Sequence, residues 1–60
     1  MNPAHATAID AAKSGRIPPI YCDDAIEEYV IHLGQSVYIV TYWHDTGQYH
    51  VADYHAAMMT

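Results

Sequence analysis

Cations are nearly missing from this chain of 60 residues. Lys13 and Arg16 stand against seven Asp and Glu, and the formal net charge is −5. Nucleic-acid affinity comes mainly from Lys and Arg that neutralise phosphates. Direct binding of DNA or RNA is therefore not expected. The same balance favours a partner with a basic surface. Cysteine is equally scarce. Cys22 is the only one, so no disulfide can close within the chain, which argues against a secreted, disulfide-stapled scaffold. No apolar run approaches the roughly 18 residues of a spanning helix. The first residues lack the basic region and apolar core of a signal peptide. Cytoplasmic residence, away from membranes, is the expectation.

Motifs of catalysis are also missing. Ser14 and Ser36 sit in no nucleophile motif. Asp23–Asp24 and Glu27–Glu28 are explained by helix capping and solvation rather than by acid–base work. Cys22 precedes an expected helix start, where the dipole would favour a thiolate, but Asp23 and Asp24 oppose that effect. So short a chain leaves little room for a concave pocket. The chain reads as a non-enzyme with no cofactor. Its five His are the one chemical temptation. His44 and His50 are weak candidates for a metal, on one hairpin face with Asp45 nearby, and His32 and His55 are within reach. None of the compact spacings of a metal site is present. Protonating all five would take the formal charge from −5 to zero, so solubility should fall as pH drops toward the pI near 5.2.

What is there centres on residues 36–54. They hold the only Trp and four of the six Tyr. Residues 37–43 are dominated by β-branched and aromatic side chains, which fit a pleated strand. Asp45-Thr46-Gly47 then reads as a three-residue loop with Gly47 at its positive-φ position. That register pairs Trp43 with Tyr49, Tyr42 with His50 and Thr41 with Val51. A two-residue Thr46-Gly47 loop would slip it by one and exchange the faces of the second strand. Either way the first strand is apolar on both sides: Val37, Ile39, Thr41 and Trp43 on one, Tyr38, Val40, Tyr42 and His44 on the other. A strand wet on one side normally alternates. One face should meet this chain's own helices and the other should meet something else.

The rest reads as helix and connector. Asn2-Pro3 is a helix start, and Ala-rich sequence runs to Ser14 before Gly15. Ala4, Ala8, Ala11 and Ala12 share one face with Ile9 at its edge. Residues 16–21 must be extended, because Pro18 and Pro19 push their predecessors out of the α region. They are read as a spacer seating Ile17 and Ile20 in the core. Asp24-Ala25-Ile26-Glu27 fits a capping box. A second helix over residues 24–33 would put Ala25, Ile26, Tyr29, Val30 and Leu33 on its core face and stop at Gly34. Its outer face would gather Asp24, Glu27 and Glu28 around Ile31. Residues 55–60 are a short tail or helical turn.

The expected fold is α+β, in one small domain covering residues 1–60. Helices at 3–14 and 24–33 pack on an antiparallel β-hairpin at 36–54, with residues 17–21 as an optional third edge strand. So small a core needs help, and a larger protein or a second copy would supply it. The expected role is a small acidic protein-interaction module, an inhibitor or adaptor of a protein with a basic surface. Its contact residues would be Tyr38, Tyr42 and Tyr54, with Ile31, Asp24, Glu27 and Glu28. A homo-oligomer without other ligands, or a His-based module responsive to metal or pH, are the alternatives.

Overall fold

A computed structural model describes residues 2–54. One helix, α1 (Pro3–Lys13), is followed by four strands: β1 (Tyr21–Cys22), β2 (Ile26–Leu33), β3 (Ser36–Trp43) and β4 (Gln48–Asp53). The strands form one antiparallel sheet in sequence order, a meander in which each strand pairs with the next. The class is α+β, but with one helix on a four-stranded sheet rather than two helices on a hairpin. The proposed tail at residues 55–60 lies outside the described residues.

α1 begins as Asn2-Pro3 indicates. The Asn2 side chain accepts a hydrogen bond from the Ala4 N–H at 2.8 Å, and Pro3 fills the first turn. Lys13 lies in the last turn, where a cation suits the helix dipole. Ala8 and Ala12 are buried against the sheet, with Ala4, Ile9 and Ala11 partly covered beside them. Side chains this short let the helix lie close to the strands. Two aromatic contacts fix its ends. The His5 ring meets Tyr38 edge-on at 5.5 Å, and the Lys13 ammonium sits 5.2 Å from the centre of the Tyr49 ring.

The expected second helix is a strand. Residues Ile26–Leu33 form β2, paired along its whole length with β3. Asp23 makes contacts of the capping kind: its Oδ1 accepts from the Ala25 and Ile26 N–H groups at 2.8 and 2.9 Å. Its own N–H, however, donates to the Ile26 carbonyl at 2.9 Å, which closes a chain reversal instead of opening a helix. At the other end, Gly34 has φ 64° and joins Gln35 in a two-residue turn between Leu33 and Ser36. That conformation suits a hairpin with glycine at its first central position. With tight turns at both ends, the β-branched and aromatic run between them extends and pairs.

The β3–β4 register also departs from expectation. The loop has four residues, 44–47, closed by a hydrogen bond from the Gly47 N–H to the Trp43 carbonyl at 2.8 Å. Trp43 therefore pairs with Gln48, Tyr42 with Tyr49, and Val40 with Val51. This moves Tyr49 and Val51 onto the face of Tyr38 and Val40, under α1, and sends His50 and Ala52 to the other. The extended connector contributes only β1 to the sheet, at the β2 edge. Ile17 packs against the core, whereas Ile20 is 62% exposed and not the core residue expected.

Candidate functional site

The cross-strand pairs sort the sheet into two faces. Tyr29, Ile31, Leu33, Tyr38, Val40, Tyr42, Tyr49 and Val51 share the face under α1. The buried cluster of Ala8, Ala12, Ile31, Tyr38 and Val40 lies between helix and sheet. On the other face Val30, Val37 and Ile39 form a contiguous apolar centre with Ala52 and His32 beside them, and Ile26 lies apart from it with Trp43, beyond the row of Glu28, Thr41 and His50. Ile26, Val30, Val37 and Ile39 are each half-buried. Among the described residues no element packs on this face.

Its margin is aromatic. Trp43 lies across from Ile26 and is 45% exposed. Tyr21 lies across from Glu28 and is 49% exposed. Tyr54 continues the ladder past β4, its N–H donating to the Val37 carbonyl at 2.9 Å, and is 52% exposed. So among the described residues three of the four large apolar side chains that are well exposed ring one open sheet face. An apolar centre edged by aromatics is a common composition of protein interfaces.

The residues expected to form a contact surface do not lie together. Ile31, expected at the centre of an acidic helix face, is 1% exposed, and Tyr38 is 8% exposed beneath α1. Strand geometry is the reason in both cases, since it turns Ile31 and Tyr38 to the helix side. Tyr42 is half-buried on that side, 4.8 Å from the Tyr49 ring and 5.3 Å from the His44 ring. Asp24 is in the β1–β2 turn, Glu27 points to the helix side, and only Glu28 and Tyr54 of the seven belong to the open face. His44 and His50 fall on opposite faces, so they cannot share a metal ion as a pair: His50 pairs with Thr41, while the His44 N–H continues the ladder to the Ala25 carbonyl at 3.0 Å.

On the helix side, beyond the end of α1's cover, a polar group gathers at the start of β2. The Glu27 carboxylate accepts from the Tyr29 hydroxyl and lies 3.6 Å from the His44 Nε2. That hydrogen bond, aided by burial and the negative charge, holds the Tyr29 hydroxyl protonated and pushes its pKa up to about 12. Tyr21 is raised in the same way by its hydrogen bond to Asp23. Asp23 is lowered in turn, by that bond first and then by the Ile26 and Ala25 amides. Cys22, directly across from Glu27, is an exposed free thiol. Sequence reasoning missed this grouping because a helix at 24–33 would have separated its members.

No protein-family profile matches the chain, and comparisons with curated proteins and with solved structures find no significant match either. No helix among the described residues is long and apolar enough to cross a membrane.

Proposed function

We propose that the chain is a small acidic protein-interaction module, an inhibitor or adaptor in type, that binds a larger protein through its open sheet face. One observation carries this reading. α1 covers a single side of the sheet, while the other carries Val30, Val37 and Ile39 as an apolar centre and Ile26 with Trp43 beyond the Glu28–Thr41 pair, with Tyr21 and Tyr54 at its edges. Burying such a patch gains about 25 cal/mol per Å² of apolar surface removed from water.

Charge argues for the kind of partner. Glu28 sits on this face, and the formal net charge is −5. Lys13 lies over Tyr49 on the opposite side, and Arg16 is in the connector after α1. A basic surface gains from this field, whereas a second copy of the chain is repelled by it. Tyr38 and Ile31 support the fold from within and take no part in contact.

The test compares the wild-type chain with a Val30→Glu/Ile39→Glu variant as baits in host lysate, after circular dichroism has shown both folded. A specific protein held by wild type, released by salt and lost with the variant is the expected result. Equal retention by both baits refutes the assignment. A concentration-dependent dimer in sedimentation, abolished in the same variant, would replace the larger protein with a second copy.

A further inference from the structure

We propose that Cys22, Glu27 and His44 form a binding site for a single Zn²⁺ ion, on the opposite face of the sheet from the apolar patch. Three separate segments deliver one ligand each. Cys22 of β1 stands directly across from Glu27 of β2. His44, just past β3, is held beside them by its backbone hydrogen bond to Ala25. The thiol sulfur, a carboxylate oxygen and an imidazole nitrogen all lie within 4.8 Å of one another.

The donor set selects the metal. Thiolate, imidazole and carboxylate are the three ligand types of protein zinc, whereas Ca²⁺ and Mg²⁺ take oxygen. Zinc bonds of about 2.0–2.3 Å in a tetrahedron put ligand atoms roughly 3.3–3.8 Å apart. The Glu27–His44 separation of 3.6 Å is already in that range, and side-chain rotation of the exposed Cys22 brings its sulfur in. Charge balances as well. A thiolate and a carboxylate carry −2 together, the imidazole binds neutral, and Zn²⁺ brings the sum to zero. Binding releases the Cys22 thiol proton to solvent.

A further contact orients the site. The Tyr29 hydroxyl donates to Glu27 Oε1, which leaves Oε2 toward His44. Hydrogen bonds to ligands of this kind fix their orientation and strengthen metal binding. The Asp23 carboxylate is occupied by the Ala25 and Ile26 amides and the Tyr21 hydroxyl. The three ligands therefore leave one coordination position for water or for a group on another molecule.

The experiment titrates the full, reduced, metal-free chain with Zn²⁺ and, for spectroscopy, Co²⁺. One equivalent should bind, with a thiolate-to-cobalt charge-transfer band and release of one proton per metal. Cys22→Ser and His44→Gln should each weaken binding more than about tenfold, and Tyr29→Phe by about tenfold. Circular dichroism in the absence of metal checks that each variant is folded. A His32→Gln/His50→Gln variant should bind as wild type. Absence of the thiolate band, or unchanged affinity in Cys22→Ser, overturns the site and leaves adventitious binding to carboxylates. These readouts are independent of any partner on the apolar face.

Discussion

Ile31 and Tyr38 face each other across β2 and β3, and α1 closes over both. Ile31 is 1% exposed, while its chain neighbour Val30 points to the open face. Ile31→Ala should cost about 2–5 kcal/mol, the range for truncating a buried aliphatic side chain. A domain this small has little to spare, so much of the variant should be unfolded at room temperature. Val30→Ala should cost about 1 kcal/mol or less. Urea denaturation of the two variants reads the contrast directly, and equal losses would show that the faces are misassigned.

Gly47 closes the β3–β4 loop at φ 72°. A Cβ there would meet nothing within 4 Å. The cost of Gly47→Ala therefore lies in the backbone dihedral alone, about 1–2 kcal/mol. Gly47→Asn should recover part of it, since Asn tolerates this region better. Thermal melts of the two variants test the point.

Asp23 gives the fold an acid limit. Its folded pKa lies below the ordinary value of 3.8, held down by Tyr21 and by two backbone amides. The stabilisation is complete above the unfolded value and is lost as pH falls through the lower folded one. Asp23→Asn should be less stable near neutral pH and should lose less between about pH 5 and pH 2. Denaturant midpoints across that interval measure the difference.

Tyr29 sets the opposite limit. Its pKa is raised from 10.0 to about 12 by Glu27. A raised folded value means that the contribution is whole below pH 10 and is lost as pH climbs through 12. In metal-free protein, ultraviolet titration should show Tyr29 ionising last, after Tyr21 and Tyr49, whose values are also raised. Glu27→Gln should bring it back toward the others.

Much of this architecture is legible in the residues, and the misreadings have physical causes. Asn2-Pro3 marks α1 without ambiguity, because a capping side chain and a ring-fixed φ agree. Residues 24–33 satisfy two periods at once. Ala25, Ile26, Tyr29, Val30 and Leu33 fit a helical stripe, while Tyr29, Ile31 and Leu33 alternate as a strand requires. Asp23 accepts from amides two and three residues ahead, as a cap does, and Gly34 suits a helix stop as well as a hairpin turn. Only pairing with β3 separates the two, and pairing is not a local property. The β3 strand had two apolar faces from the start. The loop, one residue longer than expected, puts Tyr49 and Val51 on the tyrosine side, and that side is the one α1 covers, which leaves the Val37–Trp43 side as the exterior.

The meander has a kinetic corollary. Each strand finds its partner one short turn away, so little chain entropy stands against zipping β2, β3 and β4 together. α1 must instead return across the Pro18–Pro19 connector to reach them, and its docking is the long-range closure in the assembly. Whenever α1 is undocked the sheet is bare on both sides, and such a state is the one most prone to stick to its own kind.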